Sequence, residues 1–133
     1  MDPVIRVVSD IRRLKVEVTN PFEKAEVVRY LCALADELGF NPLKNLRAGP
    51  VKIECGWRDG QDLFLAANIE FGSEREVLGA AAEIMVARPV VGLLITASNS
   101  IKPIENIVGA VRGLRPGFDF LILDLNGEKT IRV

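Results

Sequence analysis

"VKIECGWRDGQDLFLAANIEFGSE", residues 51–74, reads as two strands joined by a turn, followed by the start of a helix. Val51, Ile53, Cys55 and Trp57 alternate with Lys52, Glu54 and Gly56, the period-two pattern of a half-buried strand. RDGQ, 58–61, turns the chain into a second strand over 62–71. There Leu63, Leu65, Ala67, Ile69 and Phe71 share one face, while Asp62, Phe64, Ala66, Asn68 and Glu70 share the other. Ser73 and Glu76 have capping-box spacing and predict a helix to about Ala87, stopped by Arg88-Pro89.

Upstream, VIRVV and LKVEV read as strand segments. A helix then opens at Asn20-Pro21, with Glu23 completing a capping-box spacing. It buries Val27, Leu31, Ala35 and Leu38 and ends at Gly39. NPLKNLRAGP, 41–50, reads as a loop by its two prolines and its glycine. Downstream, VVGLLIT, 90–96, lacks polar alternation, as expected of a central strand covered on both faces. Pro103 starts a helix carrying Ile104, Ile107, Val108 and Val111 and ending near Gly113. FDFLILDL, 118–125, is a second buried strand, and Asn126-Gly127 returns the chain through KTIRV. Strand–helix–strand steps imply parallel crossovers and the hairpins imply antiparallel pairs. The predicted class is α/β, one domain over 1–133, with a mixed central sheet and helices on both faces.

At 133 residues with 49% apolar composition, the chain can bury a full core. Seventeen basic residues against eighteen acidic ones argue against a strongly basic nucleic-acid module but leave room for a local basic patch. With no histidine, Ser-His-Asp and Cys-His catalysis and the usual zinc sites are excluded, leaving carboxylates, amides, lysines or an oxygen-bound hard cation. Cys32 and Cys55, on a helix and a strand, read as two buried reduced thiols. No apolar run approaches the roughly 18 residues of a membrane span, and MDPVIRVVSD lacks a signal-peptide layout, so no membrane association and a cytoplasmic location are expected.

The hairpin register decides whether the polar residues meet. A three-residue loop, 59–61, pairs Arg58 with Asp62 and sets Lys52 opposite Asn68 and Glu54 opposite Ala66. A two-residue loop would set Glu54 against Leu65 and mix the faces, so the three-residue loop is expected. Glu54, Asn68, Glu70 and Lys52 then form one cluster, with opposed Cβ atoms about 5 Å apart. Such side chains can close on Mg²⁺, whose oxygen ligands sit at about 2.1 Å, and a bound cation can activate water against a phosphodiester.

With a helix, a hairpin carrying an acid on its first strand and an acid-x-Lys on its second, then a helix and a strand, this layout resembles the PD-(D/E)XK nuclease superfamily over roughly residues 21–96. The resemblance implies a restriction-endonuclease-like core. It places Glu54 at the family's metal-binding aspartate, Asn68 at its second acid and Glu70 at its lysine, a position where some restriction enzymes carry Glu. Asn68 is neutral and leaves the metal set one charge short. In an offset reading, Asp62 and Glu70 are the acids and Gly72 falls at the lysine position. The expected function is therefore a nuclease-like domain that binds DNA and cleaves it with Mg²⁺ unless the site has eroded, acting as a homodimer. Lys24, Arg29, Lys44, Arg47 and Arg58 are candidate phosphate contacts. The alternative is a non-catalytic α/β binding or assembly module. Gly72-Ser73 and Ser98-Asn99-Ser100 lie at strand ends where α/β sheets bind ligands, but capping and loop roles account for them.

Overall fold

A computed structural model describes residues 23–99, 103–127 and 129–133. The chain forms helix α1 (Lys24–Leu38), strands β1 (Asn41–Ala48), β2 (Val51–Asp59) and β3 (Asp62–Ile69), and helix α2 (Glu74–Ala87). Strand β4 (Val91–Thr96), helix α3 (Ile104–Leu114) and strands β5 (Asp119–Asp124) and β6 (Lys129–Arg132) follow. The six strands lie side by side in chain order. Antiparallel pairing joins β1, β2 and β3, parallel pairing joins β3, β4 and β5, and β6 returns antiparallel to β5. This is the mixed α/β sheet that the pattern of runs and turns predicts.

One face packs under α1. Val27, Leu31, Leu34 and Ala35, one stripe at helical spacing, meet Cys55, Trp57, Leu65, Ala67, Ile69, Leu93, Ile95, Leu121 and Leu123. Phe40 stacks on Trp57 and Phe64 at centroid distances of 5.5 and 4.5 Å, so Trp57 belongs to this core. The other face packs under α2 and α3, where Val77, Ala81, Ile84, Ile107 and Val111 meet Ile53, Ala66, Leu94, Phe120 and Ile122. Every residue of β4 is buried, as the absence of polar alternation demands. At Gly92 a Cβ would stand 2.7 Å from Ile84 Cγ2 and 2.9 Å from Phe118 Cε2, so the missing side chain lets α2 lie close against the sheet.

Several local expectations are corrected. Residues 41–50 form strand β1 and a turn rather than a loop, because the pairing from Asn41↔Arg58 to Ala48↔Val51 supplies backbone partners. Pro42 is tolerated because β1 is an edge strand among the described residues. Helix α1 begins at Lys24: Glu23 is its extended N-cap and makes no side-chain capping bond, since the buried stripe among the described residues starts only at Val27. The VIRVV and LKVEV segments, with Asn20 and Pro21, lie outside the described residues.

The β2–β3 hairpin loop has two residues, not three, since Asp59 pairs with Asp62 around Gly60-Gln61. Gly60 takes the left-handed conformation this turn requires, at φ 63°. A bulge then repairs the register. Arg58 pairs with Leu63 and Trp57 with Leu65, which leaves Phe64 with no opposite number. The extra residue also moves Leu63 to the α2/α3 side, while Leu65, Ala67 and Ile69 stay under α1.

Candidate functional site

Past Cys55↔Ala67 the β2–β3 ladder stops. The backbone N–H of Glu54 instead donates to Asn68 Oδ1 at 2.9 Å. On the other side of β2, Asn45 is left-handed (φ 52°), and the β1–β2 pairing skips it between Lys44↔Cys55 and Leu46↔Ile53. Strand β2 changes face here: Cys55 lies under α1, whereas Ile53 lies under α2 and α3. Glu54 sits at the crossover. The sequence pattern, which puts Ile53, Cys55 and Trp57 on one face, does not reveal this step.

Two cavities meet at that crossover. One, of about 440 Å³, is lined by Lys24, Ala25, Val28, Lys44, Asn45, Lys52 and Glu54. The other, of about 270 Å³, is lined by Lys52, Glu54, Asn68, Glu70, Glu76, Gly79, Ala80 and Glu83. The four residues singled out as a cluster, Lys52, Glu54, Asn68 and Glu70, thus line one cavity, but in a different register from the expected one. Glu54 is tied to Asn68 rather than set opposite Ala66. Sequence reasoning missed Glu76 and Glu83, although with Gly79 and Ala80 between them they occupy one α2 face at i, i+3, i+4 and i+7.

Each polar side chain has a definite job. Asn68, 2% exposed, donates from Nδ2 to the Ala80 carbonyl at 3.1 Å while Oδ1 receives the Glu54 N–H. It therefore clasps β3 to both β2 and α2 and fills the gap left by the broken ladder. Glu54 Oε1 accepts from Lys24 Nζ at 3.0 Å, whereas its Oε2 is buried with no hydrogen-bond partner among the described residues. Glu70 Oε2 accepts from the Gly72 N–H at 3.2 Å, and the Lys52 backbone N–H donates to Glu83 Oε2 at 3.2 Å. Ser73 and Glu76 make the expected capping box. Gly72 leaves room for it, since a Cβ there would meet the Glu76 carboxylate at 2.8 Å.

Asp62 stands apart. It is exposed beside Asp59 at the hairpin tip, eight positions from Glu70, or roughly 26 Å along an extended strand. The offset pairing of Asp62 with Glu70 at one cation is therefore corrected. Arg58 donates to the Gln61 carbonyl at 3.0 Å, and neither it, Arg29 nor Arg47 lines either cavity. Among the described residues no three His, Cys, Asp or Glu side chains are grouped to hold a metal ion.

The carboxyl ends of β4 and β5 close on themselves. Asp124, 1% exposed, accepts from the Ser98 N–H, the Ser98 hydroxyl and the Asn126 N–H, and Asn126 Nδ2 donates to the Ser98 carbonyl at 2.6 Å. That cluster ties two loops, in keeping with the loop role expected there; Ser100 lies outside the described residues.

No protein-family model and no curated protein sequence matches the chain. Among solved structures it is similar to the CdiA-CT/CdiI toxin and immunity complex from Burkholderia pseudomallei, at 12% identity and a TM-score of 0.43 over 88% of this chain and 92% of that one. So loose a likeness assigns neither a family nor a role. No helix among the described residues is long and apolar enough to cross a membrane.

Proposed function

We propose that the chain is a nuclease-like domain of the PD-(D/E)XK kind that holds a DNA phosphodiester at the junction of its two cavities. The observation supporting this reading is that Lys52 and Glu54 line both of them. On one side Lys44 and Lys52 present ammonium groups to a phosphate backbone, next to Lys24, whose ammonium is paired with Glu54. On the other, Glu54 and Glu70 offer oxygen donors beside the same lysine. The net charge of −1 is compatible with this, because the basic surface is local.

Mg²⁺ suits these donors in one respect: Glu54 Oε2 is a buried carboxylate oxygen with no hydrogen-bond partner among the described residues. The described residues offer no three-acid cage. Mg²⁺ commonly takes only one or two carboxylates, however, and completes its shell with water and substrate phosphate. We assign Glu54 and Glu70 to hold it. When bound, such an ion supplies an activated water and neutralises charge on the phosphodiester. Lys52 orients the phosphate, and Asn68 fixes Glu54 by holding its backbone.

A second reading, binding without cleavage, draws on two observations. Asn68 spends both ends of its amide on backbone groups, and Lys24 already neutralises Glu54. In this reading the domain is an assembly or DNA-binding module. Self-association as a homodimer would cover the exposed Val86, Val90 and Leu114.

One experiment separates the two. Wild type, the Glu54→Ala/Glu70→Ala double variant and Lys44→Ala/Lys52→Ala are assayed for cleavage and binding of duplex DNA in Mg²⁺ and Mn²⁺ across a salt series. Cleavage lost in the carboxylate variant supports the nuclease reading, whereas equal cleavage by both proteins removes the site assignment. Binding without cleavage, with the salt slope of log K reduced by about 1 per lysine removed, supports the second reading. Absence of DNA binding sinks the nuclease reading and leaves only the assembly form of the second, which gel filtration tests.

A further inference from the structure

Cys32 on α1 and Cys55 on β2 lie 23 positions apart in the chain, yet their sulfurs stand 4.0 Å from each other. Both are free thiols, Cys55 fully buried and Cys32 half-buried. We propose that they form a disulfide-bonding site, oxidised by a peroxide, that staples α1 to β2, the two elements that also carry the Lys24–Glu54 ion pair. A disulfide bond is about 2.05 Å long, so the sulfurs must approach by roughly 2 Å, a distance within reach of side-chain rotation.

Exposure sets the order of events. A small oxidant reaches Cys32 first. The Cys32 sulfur attacks one peroxide oxygen, the O–O bond breaks, and Cys32 becomes a sulfenic acid as the first water leaves. The Cys55 sulfur then attacks the Cys32 sulfur, and the S–O bond breaks. The hydroxyl leaves with the Cys55 proton as a second water. Two thiols and one peroxide thus give one disulfide and two waters, the peroxide taking both electrons. Burial pushes the Cys55 thiol up to about 12, with Cys32 beside it acting in the same direction and Trp57 and Lys44 opposing. Cys55 is therefore the resolving thiol rather than the initiating one.

The site differs from two cysteines merely sharing a core. The helix and strand it joins also carry Lys24 and Glu54, so the cross-link would hold that ion pair in one arrangement. The bond would close a loop containing all of β1, which restricts the unfolded chain. The inference does not depend on any nucleic-acid function.

The test treats the full chain at neutral pH with stoichiometric hydrogen peroxide, then uses peptide mass mapping and thermal melting. The expected product is an internal Cys32–Cys55 peptide pair, lighter by two hydrogens. The melting temperature is expected to rise by roughly 5–10 °C and to fall back on reduction with dithiothreitol. Cys55→Ser should leave Cys32 as a sulfenic acid that dimedone traps. Cys32→Ser should leave Cys55 unmodified, and either variant alone suffices if the other fails to fold. Over-oxidation of Cys32 without a cross-link, disulfides only between chains, or two unreacted thiols would each overturn the proposal.

Discussion

Asn68 occupies a position where an acid would serve a nuclease better, and its hydrogen bonds give the physical reason for an amide. One end of the side chain must accept from the Glu54 N–H and the other must donate to the Ala80 carbonyl. An amide does both at every pH and without a charge. Asn68→Ala strands buried polar groups on β2 and α2 and is expected to cost about 2–3 kcal/mol, measured by urea denaturation. Asn68→Asp keeps the acceptor but turns an anionic oxygen toward a carbonyl. The new carboxyl therefore favours its protonated form in the folded chain, with a pKa raised above the unfolded value of about 3.9. Relative to wild type, this variant should be least impaired below that value, and the deficit should grow as pH rises toward 7. A deficit that is flat with pH would refute the donor role of the amide. The cluster of Lys52, Glu54, Asn68 and Glu70 was legible only as a polar set, from the alternation of residue types, since β2 changes face between Ile53 and Cys55. The hydrogen bond that organises it was not, because no sequence pattern marks a ladder that breaks to admit a side chain.

At the scale of elements, β4 and β5 were readable because every residue of β4 and all of β5 but Asp119 are buried. A fully buried Leu or Ile contributes about 1.5–3 kcal/mol, more than the roughly 1 kcal/mol span of strand propensities. Strand β1 was hidden because Pro42, Asn45 and Gly49-Pro50 carry turn chemistry, and among the described residues its backbone pairing comes from β2. The three-residue loop failed for a related reason: the bulge at Phe64 restores the facing of side chains that a two-residue turn would otherwise reverse. Close approach between elements is testable through glycine. Gly92→Ala would force a Cβ against Ile84 and Phe118 and is expected to destabilise by about 1–3 kcal/mol. Gly109→Ala, on an exposed stretch of α3 with nothing within 4 Å, should stabilise by about 0.5–1 kcal/mol. Chemical denaturation of the two variants side by side checks both signs, and equal effects would mean that α2 does not press on Gly92.

For the whole molecule, β6 is the short strand that closes one side of the sheet. It pairs with β5 from Asp124↔Lys129 to Leu121↔Arg132, and Arg132 holds Asp119 through an ion pair at 2.6 Å. Removing residues 129–133 would uncover Phe120-Leu121-Ile122-Leu123, an apolar edge ready to pair with another chain. We expect a loss of about 2–3 kcal/mol from the half-buried Ile131 and Val133, together with concentration-dependent scattering of light. An unchanged urea midpoint and a clean monomer on gel filtration would show that β6 is ornamental.

The side-by-side arrangement of β1 to β6 in chain order carries a consequence for how the molecule comes into being. No strand among them has to wait for a distant later segment before finding a neighbour. A nascent chain leaving the ribosome can add each strand to the growing margin as it is synthesised, and loop-closure entropy is met in small instalments. Slow synthesis therefore gives such a chain few long-lived unpaired intermediates, and assembly runs in the direction of translation.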